Sequence, residues 1–378
     1  MEHWERHQRI WRLLYRLLHR WIERKFNLTH EDLELEGPLL IIPNHSCAWD
    51  PLLVAMCLPR KQAYYVASEH IFRLGFLSRL LERFLAPIPR RKASSGADTV
   101  KAILRHLKAG HSVCLFAEGD QCWAGRSGEI FPATGKLARS SGATLVTVRV
   151  EGGYLSLPRW GKGVRRGKVQ VRPVNIYPPE TLRGMTPAQI DEAINRDIHE
   201  DAWQRQREWR AAYRGKRRAE GMERALFLCP KCGKLGTLQS EDDRIFCSCG
   251  LRQRFGEEGF LEPPEPFGDL AAWDAWQLEK LRTRSFPHAE DELFSDVGVT
   301  LTRVSAGHRE ETLASGTLRQ TEDVLELGDF RFPLGEVHDM AMVLASRLLF
   351  THGDVYYQLR ADSANLRKYL EFWKTYHS

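Results

Sequence analysis

Along the first 26 residues, apolar and basic positions interleave at close to helical spacing. Trp4, Trp11, Leu14, Leu18, Trp21 and Ile22 recur on one side, and Leu13, Tyr15 and Leu17 widen it. Arg6, Arg9, Arg12, Arg16, Arg20 and Arg24 fill the remainder. The pattern predicts one amphipathic helix over 3–26, suited to a lipid interface. The bland alternative is a helix packed on its own domain with Arg stems over apolar surface. From 37 to 177, short apolar runs alternate with helical patterns. Strands are predicted at 39–43, 63–67, 112–117, 144–150 and 168–177, and helices at 51–58, 69–85, 98–109 and 133–141. That alternation predicts an α/β domain with a largely parallel sheet. A further helix, rich in Trp and Arg, is predicted over 187–214.

After the Gly215-Lys216-Arg217-Arg218 linker and the break at Pro263-Pro264-Glu265-Pro266, the texture changes. A helix over 270–281 precedes strands at 299–303, 312–319, 323–327, 331–332, 340–344, 347–351 and 355–360. A closing helix buries Leu366, Tyr369, Leu370 and Trp373 at i, i+3, i+4, i+7. Short strands closed by one C-terminal helix resemble a pleckstrin-homology-like barrel in architecture. The expected organisation is therefore an amphipathic helix over 1–30, an α/β domain over 31–214, a linker with a cysteine module over 215–262, and a helix plus β-rich domain over 263–378.

Charge changes the picture only locally. The net charge is +6, but residues 1–25 hold seven Arg/Lys against three Glu, and residues 203–224 hold eight against three. Two basic blocks suit an anionic partner, whether membrane, nucleic acid or phosphorylated substrate. For the second block, solvated helix faces explain the charge equally well. No apolar run approaches the ~20 residues of a membrane span, and the Arg-studded N-terminus is unlike a secretory signal.

The candidate chemistry begins where the strand at 39–43 meets the helix after Asp50-Pro51. His45 and Asp50 lie at that corner, where α/β sheets commonly present their sites. On a helix they would lie about 140° apart. Pro51 keeps Asp50 out of the α region, so a tight loop can bring them together. The carboxylate would then hold one ring nitrogen while the other takes a proton from a hydroxyl. Taken alone, the pair reads more readily as a helix-capping Asp beside a polar loop His.

Three further stretches sharpen it: Ile88-Pro89-Arg90-Arg91-Lys92, Phe116-Ala117-Glu118-Gly119-Asp120-Gln121, and the strand 144–148. With Asn44-His45-Ser46 through Asp50, this order and spacing resembles the glycerophospholipid acyltransferase family, of the bacterial 1-acylglycerol-3-phosphate acyltransferase kind, over roughly 38–180. The resemblance implies acyl transfer from acyl-CoA or acyl-carrier protein to a hydroxyl of a lysophospholipid or glycerol phosphate, without a catalytic cofactor. It implies His45 as general base and Asp50 as its orienting partner. Asn44, Arg90, Arg91, Glu118 and Gly119 would form the acceptor site, the Arg residues holding a phosphate. One departure stands out. Where the family carries an Arg after Glu-Gly-x, this chain has Gln121, and Asp120 adds a negative charge. Arg126 is the candidate substitute, and the departure points either to an acceptor other than lysophosphatidic acid or to reduced activity.

The other strong motif is Cys229-x2-Cys232-x14-Cys247-x-Cys249, each pair followed by Gly. Four thiolates at this spacing suit a closed, structural Zn²⁺ site in a small zinc ribbon, with iron the minor alternative. The expectation is a peripheral enzyme on the cytoplasmic side of a membrane. Two other readings stand beside it: a nucleic-acid-binding zinc-ribbon protein, and a catalytically inactive lipid-binding relative. The first of these leaves the four blocks unexplained, so nucleic acid is not an expected partner.

Overall fold

Five consecutive residues without a polar side chain, Leu39 to Pro43, fit a strand only if both faces of its sheet are covered. The computed structural model describes residues 2–68, 82–90, 96–305 and 310–377, and it places these five at the centre of a seven-stranded sheet. In chain order the strands are β1 (Leu28–His30), β2 (Leu39–Pro43), β3 (Ala63–Ser68), β4 (Ile88–Arg90), β5 (Ser112–Cys114), β6 (Thr144–Glu151) and β7 (Val169–Tyr177). In space they run β1-β7-β6-β2-β5-β3-β4. β4, β3, β5, β2 and β6 are parallel to one another, β7 is antiparallel to β6, and β1 is parallel to β7. The carboxyl ends of the five parallel strands therefore share one edge of the sheet.

The helices follow as α1 (Glu2–Phe26), α2 (Asp50–Ala55), α3 (Ala97–Lys108), α4 (Thr134–Ser141), α5 (Gly153–Ser156), α6 (Pro179–Gly184), α7 (Pro187–Ile198) and α8 (Ala202–Trp209). They cover both faces. Leu39 and Ile41 share a core with Trp11, Ile22 and Phe26 of α1 and Leu53 and Val54 of α2. Leu40 and Ile42 share the other with Ile103 and Leu107 of α3, Leu137 of α4, Leu182 of α6, and Ile190 and Ile194 of α7.

The expected strands at 39–43, 63–67, 144–150 and 168–177 are present, and the one at 112–117 stops at Cys114. β1 and β4 were not expected, because three residues carry too little periodicity to be read. The single helix over 187–214 is two helices. Thr186 and Gln189 form a capping box that starts α7, and Asp201 accepts from the Trp203 and Gln204 N–H groups to start α8. A new N-cap inside the pattern interrupts the helix. Most of the expected helix at 69–85, and Arg91, lie outside the described residues.

The single apolar face expected of α1 is two faces. Trp11, Ile22 and Phe26 are buried in the core, whereas Leu13, Leu17, Leu18 and Trp21 are 58%, 66%, 40% and 49% exposed. Among the described residues, no helix is long and apolar enough to cross a membrane.

The chain divides into two compact units near Gly215, with residues 160–162 joining the second. In the second unit, β8 (Leu238–Glu241), β9 (Arg244–Cys247), β10 (Arg252–Phe255) and β11 (Leu261–Glu262) form an antiparallel sheet beside the cysteines. After α9 (Leu270–Arg282) comes the β-rich region: β12 (Phe294–Val304), β13 (Glu310–Gln320), β14 (Val324–Leu327), β15 (Phe330–Pro333), β16 (Val337–Val343), β17 (Arg347–His352) and β18 (Val355–Arg360). It consists of two meanders joined where β12 pairs with β18, and α10 (Arg367–Tyr376) follows. Leu366, Tyr369 and Leu370 are buried as expected, and Trp373 is half-buried. Buried Arg367 pairs with Asp274 of α9 at 2.7 Å. Gln277 of α9 accepts from the Phe227 and Leu228 N–H groups, just before Cys229. The cysteine module and the β-rich region thus share one buried polar network.

Candidate active site

The carboxyl edge of the sheet gathers most of the residues singled out from the sequence. β2 ends at Pro43, and the chain turns through residues 44–49 into α2. His45 Nδ1 donates to Asp50 Oδ2 at 2.8 Å. The nitrogen facing a carboxylate must carry the proton, which leaves Nε2 as the lone-pair nitrogen. The His45 side chain is 17% exposed and that of Asp50 is completely buried.

Asp50 does not cap α2. It is the first helical residue, and its carboxylate points back into the loop. Oδ2 also accepts the Ser46 N–H at 2.5 Å and the Cys47 N–H at 2.8 Å. Oδ1 accepts the Ser46 hydroxyl at 3.0 Å and the Cys47 thiol at 3.2 Å. Burial, reinforced by the charge of Asp50, pushes the Cys47 thiol well above its usual range, so it remains a donor. Five donors around one buried carboxylate fix its orientation and, through it, the imidazole. Gly153 closes this nest: a Cβ there would stand 2.4 Å from Ser46 Oγ.

Asn44 is held by the backbone of β6. Its amide is buried, donating to the Val150 carbonyl at 3.0 Å and accepting the Val150 N–H at 2.7 Å. These two bonds form a clip between the end of β2 and β6. A side chain with both a donor and an acceptor can satisfy one backbone residue on both sides.

Glu118, beyond the end of β5, reaches the same loop. Its Oε1 accepts the His45 N–H at 2.6 Å and its Oε2 the Gly128 N–H at 2.7 Å. Burial raises its carboxyl to about 8. The two N–H bonds oppose that rise, and the charges of Asp50 and Asp120 add to it. Cys122 N–H donates to the His45 carbonyl at 3.0 Å, so the 118–122 turn holds both sides of the His45 backbone. Gly119 has φ +74°, and a Cβ there would meet the Phe131 ring at 1.9 Å. Only glycine suits both demands.

Arg90 lies at the end of β4 with its guanidinium over the Phe131 ring, 4.2 Å from the centroid. Burial lowers its basicity and the charge of Asp120 partly restores it. Phe131 thus joins Arg90 to the Glu118-Gly119 turn. The structure brings together His45, Asp50, Glu118, Gly119 and Arg90. Phe131, Gly153 and Arg159 were missed, since a lone Phe, Gly or Arg outside the blocks carries no sequence signal.

Residues 25–151 match the Acyltransferase family. The matched segment contains His45, Asp50, Arg90, Glu118 and Gly119. Its fold also shows a likeness to the crystal structure of the 1-acyl-sn-glycerophosphate (LPA) acyltransferase PlsC from Thermotoga maritima. The TM-score is 0.41 and the identity 16%, over 49% of this chain and 78% of that one.

Arg126 pairs with Asp201 at 2.8 Å. Beside Gln121 lies Arg159, 2.7 Å from Asp120 and donating to the Gln121 carbonyl at 3.3 Å. In the basic block at 203–224, Trp203 and Tyr213 are buried, and Arg205 is paired with Glu200 and Glu151. Trp209 is half-buried, with Lys168 Nζ 4.0 Å and the Arg205 guanidinium 5.5 Å from its ring centroid.

The four sulfurs of Cys229, Cys232, Cys247 and Cys249 lie within 4.8 Å of one another. Cys229 and Cys249 are 3.6 Å apart, and Cys232 and Cys247 3.9 Å apart. A tetrahedron with metal–sulfur bonds of about 2.3 Å has edges of about 3.8 Å, so the donor set fits Zn²⁺. Disulfides would need about 2.05 Å. Gly233 and Gly250 both have positive φ, and their N–H groups donate to the carbonyls of Cys229 and Cys247.

Proposed function

We propose that the acyltransferase domain moves a fatty acyl group from a thioester, acyl-CoA or acyl-carrier protein, to a hydroxyl of a lysophospholipid or glycerol-phosphate acceptor. The observation that carries this reading is the His45–Asp50 pair, a half-buried imidazole held by a carboxylate whose five donors leave it no other orientation. His45 Nε2 takes the acceptor hydroxyl proton as that oxygen attacks the thioester carbonyl. Asp50 stabilises the imidazolium that forms. Collapse of the tetrahedral intermediate breaks the carbon–sulfur bond, and the imidazolium returns the proton to the departing thiolate. Arg90, levelled by Phe131, binds the acceptor phosphate, and the Glu118-Gly119 turn forms the wall of that site.

α1 brings this site to a membrane surface. The exposed stripe Leu13-Leu17-Trp21 is flanked by Arg16, Arg20 and Arg24, a pattern suited to anionic lipid. Trp21 packs against Trp49 at 5.8 Å, and Trp49 immediately precedes Asp50. The same interface that presents the lipid acceptor thus adjoins the catalytic loop. The cysteine module binds a structural Zn²⁺ through Cys229, Cys232, Cys247 and Cys249, whose four thiolates fill a tetrahedral shell and hold the turns before β8 and after β9. The test is acyl transfer from a labelled thioester to a lysophospholipid: wild type forms product and His45→Ala does not.

A further inference from the structure

At the amino ends of the parallel strands, the edge opposite His45, lies a cavity of about 470 Å³. Gly37 lies just before β2, Gln62 just before β3, and Ser112 opens β5; all three line it. Among the described residues, four lining cations, Arg9, Arg12, Arg60 and Lys61, stand against one carboxylate, Glu5. Arg9 lies 3.6 Å from Glu5, and Arg60 3.1 Å from Glu34; both pairs are exposed and hold their partners weakly. Arg12 and Lys61 have no carboxylate within ion-pair distance among the described residues. Arg12 uses Nε alone, on the Gln8 carbonyl at 3.4 Å. Lys61 gives two of its three N–H groups to the Leu35 and Gly37 carbonyls, at 2.6 and 3.0 Å. Two neutral donors join them. Trp4 Nε1 is buried with no acceptor among the described residues, and its ring is stacked on His111. The Ser112 hydroxyl accepts the Leu39 N–H at 3.2 Å, and among the described residues nothing accepts its own hydrogen.

We propose that this cavity is a phosphate-binding site, separate from the acyl-transfer site, that takes the headgroup of an anionic phospholipid or free phosphate. Donors without acceptors, two of them cationic, match a group that offers acceptor oxygens and negative charge. Partial burial lowers the basicity of Lys61, and the charge of Glu36 only partly restores it; a bound anion favours the charged ammonium. Gln62 Oε1, buried and without a donor among the described residues, suits a hydroxyl on the same ligand. Arg9, Leu13 and Leu17 follow at i, i+4 and i+8 and share one face of α1. Leu13 and Leu17 are exposed, so a headgroup held at Arg9 can lay its acyl chains along them. The site does not depend on the acyl-transfer reading, because its ligand is bound and not turned over.

The experiment follows the Trp4 indole N–H resonance of the full chain by NMR, assigned by its loss in Trp4→Phe. Inorganic phosphate, phosphatidylglycerol nanodiscs or phosphatidylcholine nanodiscs are added to wild type. A saturable shift with phosphatidylglycerol alone identifies a lipid headgroup as the ligand, and a shift with inorganic phosphate identifies free phosphate. No shift with either overturns the proposal, whatever the variants do. An equal shift with phosphatidylcholine reports general membrane contact and overturns it too. Arg12→Gln, at an exposed helix position, and Lys61→Gln should each weaken the apparent affinity by about tenfold or more. Arg90→Gln, at the other edge of the sheet, should change it by less than about twofold. Affinity that survives both cavity changes, or that falls with Arg90→Gln, overturns the assignment to this cavity.

Discussion

Glu118 accepts the backbone N–H of His45 at 2.6 Å, across 73 residues of chain. The bond is to the backbone, so it fixes where the imidazole starts without competing for its nitrogens. Burial holds the Glu118 carboxyl at about 8, above its unfolded value of about 4.3. A raised folded value contributes stability that is complete below the unfolded value and is lost as pH rises through the folded one. The stability advantage of wild type over Glu118→Gln should therefore shrink between about pH 5 and about pH 9. Denaturant midpoints across that range measure it; a constant or widening gap contradicts the burial argument.

Asp50→Asn replaces an acceptor-only group with one that presents an N–H₂ to donors. At least one of the Ser46 and Cys47 N–H groups or the His45 ring N–H then loses its partner. Hydrogen bonds to a charged group contribute about 1.5–3 kcal/mol each. Acyl transfer should fall by about 100-fold or more, with a loss of stability of about 2 kcal/mol. Steady-state rates and denaturant melts test this, and a variant with wild-type rate refutes the orienting role.

Purified protein should carry about one zinc per chain, as four thiolates require. Cys232→Ser should lose it and lower the unfolding temperature of the unit that contains the β-rich region, because Gln277 ties the segment before Cys229 to α9. Elemental analysis and calorimetry read both. Metal-free wild type with unchanged melting rules the site out.

The double change Leu13→Glu with Leu17→Glu alters only outward-facing positions of α1. Binding to vesicles of phosphatidylglycerol and phosphatidylethanolamine should fall about tenfold or more. Transfer to a detergent-dispersed acceptor should stay within about twofold. Unchanged vesicle sedimentation excludes the stripe as the membrane contact.

The alternation of apolar runs made the α/β domain legible, because a strand buried on both faces reads as a continuous run such as Leu39 to Ile42. His45, Asp50, Arg90 and Glu118 were legible as ordered blocks. The bonds of Asn44 to the Val150 backbone were not, since no local pattern links residues 106 positions apart. The direction of the Asp50 carboxylate was equally hidden, because Asp before Pro suits a cap as well as a nest. Arg159 lies 39 residues beyond Asp120, and no local pattern links them. The two faces of α1 were merged because both are apolar, and the pattern does not say which one meets the sheet.

The central claim is that His45 removes the acceptor proton. It is tested most directly by single-turnover transfer from a labelled acyl thioester to a lysophospholipid, comparing wild type with His45→Ala. Circular dichroism and vesicle binding should match between the two. Wild type should form labelled diacyl product, and His45→Ala should be slower by about 1,000-fold or more. Equal product formation by a folded His45→Ala contradicts the account.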